Sequence, residues 1–430
     1  MSLKQMVQMS KYTLWLLAAC AGLAAFLLSC SKKSTDSSSN TPTSAITVVS
    51  PNGGENWGIG RAYSIRWTSE HVTGNVRILY SLDGGNNWQT IISDAALNVG
   101  SYDWTPVEPR TNAGRIKIES VDDSTVGDAS DANFTVIHAW EPQNSGTQSI
   151  IYGLACADRN HCWAFGDGNT IIHTTDGGEN WSAQTSPAST YYDGSSFTDV
   201  NTGWAVGGNG MIIHTTNGGT TWTRQTSDTA APLYDVAFAD NRHGWAVGEF
   251  GLILHTTNGG NTWSPQSNPL PSTASIRTIT ARDSLYAWCA ATGETILSTT
   301  SGGIIWNVNT AQTTDWIIGI DFTDYSHGWI LGATEGIYGS VDGGLIWNPQ
   351  AGTGQSFNQF GGIDFVDANN GWTAGQGGRI RHTTNGGQSW HDQSSRVSLY
   401  AFAAIAFADS LHGWVAGSNG TILHTTIGGE

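Results

Sequence analysis

The chain has 430 residues, with 54 Gly, 20 Trp, only 12% charged side chains and a formal net charge of −17. From Ala139 onward it carries no Lys and eight Arg, which excludes nucleic acid as a partner, since phosphate binding needs a basic surface. Short Gly-punctuated runs rich in Thr, Val, Ile and Trp, with no helical period beyond the N-terminus, read as an all-β protein.

Residues 1–30 read as a targeting segment. Lys4 and Lys11 form a positive n-region, Tyr12–Leu28 is apolar, and Ser29-Cys30 closes it. Leu27-Leu28-Ser29-Cys30 resembles the bacterial lipoprotein cleavage box, which implies Cys30 as the lipidated N-terminal residue of an exported cell-envelope protein. Cleavage at Cys20, whose preceding Leu17-Ala18-Ala19 also fits, would leave the greasy Ala21–Ser29 on the mature chain. Ser31–Ser44 is a Ser/Thr-rich tether that would hold the folded part off a membrane.

Ala45–Ile137 contains seven runs of strand character separated by turns: Ile46–Ser50, Ala62–Thr68, Val76–Ser81, Trp88–Ile92, Gly100–Trp104, Arg115–Val121 and Ala132–Ile137. That spacing predicts an immunoglobulin- or fibronectin-like β-sandwich without an intersheet disulfide, with Trp67 and Trp104 as core aromatics. Its role is expected to be that of a spacer or of a glycan- or protein-binding module.

His138–Glu430 is a repeat array with a period of about 42 residues, the range of a propeller blade. One element is a hairpin turn: HTTDGGENW (173–181), HTTNGGTTW (214–222), HTTNGGNTW (255–263), STTSGGIIW (298–306), GSVDGGLIW (339–347), HTTNGGQSW (382–390) and the truncated HTTIGGE (424–430). Asn-Gly or Asp-Gly supplies the positive φ of a tight turn, and the Trp opens the next strand. The same turn, YSLDGGNNW, stands at 80–88, so it is a portable hairpin device. The second element is Phe-x-Asp-x-x-x-Gly-Trp, ending at Trp204, Trp245, Trp329, Trp372 and Trp414, with degenerate copies at Trp163 and Trp288. The last turn lacks its Trp, and Trp140 stands 41 residues before Trp181. The N-terminal strand therefore supplies what the final unit lacks. The prediction is a seven-bladed β-propeller closed by an N-terminal outer strand, because a linear solenoid has no reason to split a unit across both ends.

The hairpin turns resemble the Asp-box of bacterial-neuraminidase-type repeats. Combined with F-x-D-x-x-x-G-W-x-x-G-x-x-G-x-I-x-x-T-T, they look more specifically like the photosystem II assembly and stability factor family, seven-bladed assembly chaperones with exported relatives in non-photosynthetic bacteria. The resemblance implies the propeller for 138–430. It does not carry over photosystem binding, because the arginine-rich patch of the photosynthetic members has no counterpart. Here Arg277, Arg282, Arg379, Arg381 and Arg396 are scattered. Sialidases share the Asp-box, but the Arg-Ile-Pro and arginine triad that their likeness would require do not occur. Xyloglucan-cleaving relatives use two propellers flanking a cleft.

Ring geometry filters the candidate sites. Equivalent third-strand positions of neighbouring blades lie roughly 13 Å apart on a strand spacing of about 4.8 Å, while ligands to one zinc sit about 2 Å from it. His173, His214, His255, His382 and His424 therefore cannot share a metal, and Asp176 and Asp342 belong to turns. No metal or other cofactor is expected. Only inner strands and the loops at the channel mouth converge. The loops entering the inner strands carry Tyr152, Tyr191, Tyr192, Tyr234, Arg277, Trp316, Phe357, Phe360 and Tyr400, a set suited to a protein surface or sugar rings. Asp321 and Asp364 hold one inner-strand position in adjacent units. They are either a glycosidase pair, a cation site, or acceptors for neighbouring backbone. Cys156 and Cys162 replace a Phe and a Gly on facing strands of one hairpin, which predicts a disulfide in an oxidising compartment. The sequence thus points to a non-catalytic, lipid-anchored envelope scaffold that meets a protein or glycan at the propeller mouth, with a glycoside hydrolase using Asp321 and Asp364 as the alternative.

Overall fold

A computed structural model describes residues 43–313, 316–334, 336–350, 361–397 and 401–429. Cys30, most of the tether, Phe357, Phe360 and Tyr400 lie outside the described residues. Among the described residues no helix is long and apolar enough to cross a membrane.

Between Ala45 and Ile137 two β-sheets enclose one core. Ala45–Ser50, Tyr63–Glu70 and Ser101–Trp104 form one sheet. The other runs Asn56–Gly58, Phe134–Ile137, Thr111–Ser120, Asn75–Ser81 and Gln89–Leu97, with Gly127–Ala129 added beside Thr111–Ser120. Strict alternation fills the interior, as in Ala45–Ser50, where Ile46 and Val48 point inward. Trp67 is buried and donates its indole N–H to Asn98 Oδ1 at 2.8 Å. Trp104 is half-buried and packs against the core beside Trp57, which is buried in contact with Phe134.

The rest of the described chain forms seven four-stranded antiparallel sheets. Their inner strands are Ile151–Cys156, Tyr192–Phe197, Leu233–Phe238, Ile276–Ala281, Ile317–Phe322, Gly361–Phe365 and Phe402–Phe407, here blades I to VII. Each inner strand packs against the next, and the seventh against the first. Blade VII takes its outer strand from Glu141–Gln143, with Glu141 opposite His424 and Gln143 opposite Ile422. Each inner strand is the edge of its own sheet, and ring closure covers that short edge by packing it against the inner strands of the two neighbouring blades.

The turn motif explains itself in hydrogen bonds. In blade I the Thr174 hydroxyl donates to Asp176 Oδ1 at 2.8 Å and accepts from Gly178 N at 2.8 Å, while Asp176 Oδ1 accepts from Asn180 N at 2.9 Å. Ser81, Asp83, Gly85 and Asn87 repeat the scheme outside the ring. Both glycines of each turn have positive φ, for example Gly177 at 72° and Gly178 at 89°, a conformation that costs glycine little.

Neighbouring blades are joined by two repeated devices. The second-strand Trp of one blade stacks on the Phe of the next: Trp163 on Phe197 at 3.7 Å, Trp204 on Phe238 at 3.4 Å, Trp329 on Phe365 at 3.6 Å and Trp372 on Phe407 at 3.7 Å. The turn Trp of that next blade then meets the same Phe edge-on, as Trp222 does Phe197. A Gln three residues past the turn Trp makes the second device. Gln184 accepts from Trp222 Nε1 at 3.0 Å and donates to Gly218 O at 2.8 Å. Gln143, Gln225 and Gln266 act likewise. At the closure Trp140 takes the missing role. It meets Phe407 edge-on at 5.9 Å and donates to Gln393 Oε1 at 2.9 Å, while Gln393 donates to Gly428 O at 2.8 Å. Blade I has no Phe at this position, and there Cys156 and Cys162 form a disulfide beside Trp414.

The repeated histidines stack on their own blade's Trp, His173 on Trp163 at 4.3 Å and His424 on Trp414 at 4.4 Å. Burial pushes His173, His255, His382 and His424 down to about 4. They are neutral packing groups spread around the ring.

Two outcomes follow. Trp140→Ala, read by chemical denaturation, should cost roughly 3–5 kcal/mol, the range for a large buried aromatic, while Gln225→Ala should cost about 1–2 kcal/mol for its two hydrogen bonds. The depressed histidines contribute stability that is complete above their unfolded value near 6.5 and is lost as pH falls towards 4. The melting temperature should therefore drop across that window, and less in a His173→Phe/His255→Phe variant.

Candidate functional site

Six of the seven inner strands share one irregularity. In blade I Ile151 pairs with Gly166 and Gly153 with Phe165, so Tyr152 is an extra residue with no partner. The same β-bulge places Asp193, Tyr234, Arg277, Ile318 and Ala403 in blades II, III, IV, V and VII. A bulge re-aims its side chain, and all six of these residues line one cavity of about 650 Å³ at the hub of the ring. Close approach of the strands beneath is what demands glycine there. A Cβ on Gly153 would come within 2.6 Å of Asp193 O, and one on Gly194 within 2.5 Å of Asp235 Cα.

The cavity wall has two unlike halves. Blades V to VII contribute Ile317, Ile318, Ile320, Ile363 and Ile405, with Trp316 58% exposed at the rim. Blades I to IV contribute Tyr152, Asp167, Tyr191, Asp193, Ser195, Tyr234, Asp235 and Arg277. Most polar groups of this half are engaged. Tyr152 donates its hydroxyl to Asp167 Oδ2 at 3.2 Å and Tyr234 to Glu249 Oε1 at 2.8 Å. Burial and these carboxylates push both phenols up to about 12. The Arg277 guanidinium lies 4.3 Å over the Tyr234 ring, a cation–π contact. Asp235 accepts from Val236 N at 2.8 Å and Ile279 N at 2.9 Å, and burial raises it to about 6 against those bonds. Asp193 makes no hydrogen bond and no ion pair among the described residues. Burial pushes its carboxyl up to about 7; Asp167 and Asp235 add to the rise and Arg277 opposes it.

Of the residues proposed from the sequence, Tyr152, Tyr191, Tyr234, Arg277 and Trp316 come together here. Tyr192 does not. It opens its strand opposite Gly207, is fully buried against Phe165, and bonds Ser186 at 2.8 Å. Adjacent strand residues face opposite ways, so Tyr191 and Tyr192 could not both line the mouth. Asp193, Asp167, Asp235 and Ser195 were missed. Counting the period from Tyr152 to Tyr234 lands midway on Asp193, the signal that was there.

Asp321 and Asp364 do not line the cavity. Asp321 accepts from Phe322 N at 2.8 Å and, across the blade boundary, from Phe365 N at 2.8 Å; Asp364 accepts from Phe407 N at 2.6 Å. Ser196 serves Phe238 N in the same way at 3.1 Å. Withdrawal from water and the neighbouring Asp321 push Asp364 up to about 8. Their geometry is that of acceptors stitching inner strands together. No cluster of three or more metal-ligating side chains occurs among the described residues.

The family profile described as photosynthesis system II assembly factor YCF48 matches residues 132–232, 225–310 and 303–401. The chain belongs to this family. Among solved structures it is similar to YCF48 bound to a D1 peptide, at 22% identity and a TM-score of 0.56, covering 67% of this chain and 97% of that one. YCF48 from Cyanidioschyzon merolae matches at 20% identity and a TM-score of 0.53, over 66% and 98%. A GH74 xyloglucanase from Xanthomonas campestris matches at 13% identity and a TM-score of 0.54, and the likeness spans 53% of that enzyme. These likenesses support the propeller fold. No curated protein matches by sequence.

A carboxylate raised from 3.8 to about 7 destabilises the fold once pH exceeds its unfolded value, and the cost is complete above 7. Asp193→Asn should therefore raise stability by up to about 4 kcal/mol at pH 8 and leave it nearly unchanged at pH 4, as measured by denaturation at the two pH values.

Proposed function

We propose that this YCF48-family propeller is a non-catalytic binding scaffold that takes a segment of another protein at the cavity mouth. The observation that carries this reading is the ring of bulge side chains. It sets two tyrosines, an arginine and an unspent carboxylate opposite an isoleucine wall, a mixture of aromatic anchors and sparse polar groups that suits recognition. The structure of YCF48 with a D1 peptide lends support from a relative of the same family. The glycosidase reading finds less support, because Asp321 and Asp364 are engaged with backbone N–H groups and stand outside the cavity.

The same proposal places the protein at a bacterial cell envelope, anchored through Cys30, with Ala45–Ile137 as an immunoglobulin-like spacer between tether and propeller. Labelling with an alkynyl fatty acid should be lost in Cys30→Ala.

The binding reading is tested with the full-length lipidated protein in detergent-solubilised envelopes. Tyr234→Ala/Trp316→Ala should deplete a discrete set of captured proteins while Asp321→Asn leaves that set unchanged. Turnover of an envelope polysaccharide that Asp321→Asn abolishes would overturn it.

A further inference from the structure

We propose that the polar half of the hub cavity is a receptor for a cationic side chain, Lys or Arg, presented by an extended protein segment, with Asp193 as its counter-ion and Tyr152 and Tyr191 as its walls. This rests on the reading of the mouth as a protein-binding site and names the chemistry of what enters.

The inference comes from which polar groups are already committed. Among the described residues the cavity neighbourhood holds four carboxylates and one guanidinium. Asp167 is occupied by the Tyr152 hydroxyl, Glu249 by that of Tyr234, and Asp235 by two backbone N–H groups. Arg277 is spread over the Tyr234 ring and makes no ion pair within the described residues. Among these described carboxylates Asp193 alone is uncommitted, at the bulge that turns its side chain into the cavity. A second, independent gap lies in the same wall: the Ser195 hydroxyl oxygen is fully buried, lines the cavity and has no hydrogen-bond partner. A buried polar atom without a partner costs about 1–3 kcal/mol, so the Ser195 hydroxyl favours an incoming donor, and the half-buried Asp193 carboxylate favours a cation. An ammonium or guanidinium on a long apolar stem meets both needs. Its stem lies along the tyrosine faces, which attract cations, while its head reaches carboxylate and hydroxyl. The net charge of this half is negative even with Arg277 counted, which disfavours an anionic occupant.

The groups that face Asp193 are Asp167 on the loop after Cys162–Gly166, Asp235 on the inner strand of blade III, Arg277 on that of blade IV, and the phenols of Tyr152 and Tyr191. Arg277 is the internal competitor: among the described residues it is the cation placed to screen Asp193. Because burial raises the Asp193 carboxyl to about 7, a cation should bind more tightly as pH rises through that value.

The experiment is a selection of displayed random 12-residue linear peptides on the full-length protein, followed by calorimetry with the best synthetic peptide. Expected are enrichment of Lys or Arg at one position, and an affinity loss of at least tenfold on replacing that residue with norleucine. Asp193→Asn should produce the same loss and add nothing to the norleucine effect. Arg277→Gln should tighten binding several-fold, and affinity should fall about tenfold from pH 8 to pH 6. Selection of acidic residues or a free carboxyl terminus, or loss of binding in Arg277→Gln, would overturn the proposal. So would peptides that compete at the mouth without a cation, although those leave the scaffold reading standing. If no peptide is selected and Tyr234→Ala/Trp316→Ala captures the same proteins as the parent, both readings fall.

Discussion

The stack of a second-strand Trp on the Phe of the next blade is the contact on which the rest depends. A single four-stranded blade has two faces to cover and cannot do so by itself. At five of the seven blade boundaries a blade instead lends its Trp to its neighbour's Phe, and that Phe meets the neighbour's own turn Trp edge-on, as Phe238 does Trp263. Aromatic pairs of this geometry add to the area they bury. The Gln that bonds both that Trp and the turn glycine carbonyl fixes the angle between blades. Repeated around a circle, this arrangement works only if the last blade finds a Trp as well, and Trp140 provides it from the other end of the chain.

Symmetry then dictates where recognition can occur. Identical side chains on the third strands are driven apart around the rim, which is why the five stacked histidines form no metal site. The inner strands alone come close to one another. There the repeat is least faithful: the bulge position reads Tyr, Asp, Tyr, Arg, Ile and Ala in six blades. Conformity in the stacking residues builds the ring, and variety at the bulge gives it an individual surface. Asp321 and Asp364 vary too, but their carboxylates are taken up by the backbone of the next blade.

The cavity combines rigid walls with an electrostatic deficit. Tyr152 and Tyr234 are pinned through their hydroxyls, so their rings are held before anything binds, which reduces the ordering cost of association. Asp193 is held in a place where its charge has no partner. Such an arrangement weakens the free protein and would be relieved by a hydrogen-bond donor entering the cavity, which is the basis of the proposal made for it.

The sequence by itself determined the fold class, the period, the borrowed closing strand and the facing positions of Cys156 and Cys162. All of these follow from local chemistry: Gly-Gly turns, strand alternation and landmarks that recur at fixed spacing. It also brought Tyr152, Tyr234, Arg277 and Trp316 to the right end of the right strands. What the tertiary structure alone decided is which side chain each inner strand turns inward. A bulge inserts one residue into an otherwise regular alternation: the period marks Asp193 as the counterpart of Tyr152 and Tyr234, but only the pairing shows that this position turns inward. The reading therefore took Tyr192, which the pleat buries, and passed over Asp193, which the bulge exposes to the cavity. The state of Asp193 was equally illegible, because it depends on Asp167, Asp235 and Arg277, side chains of three other blades that lie 26 to 84 residues away in the chain and meet it only in the folded ring.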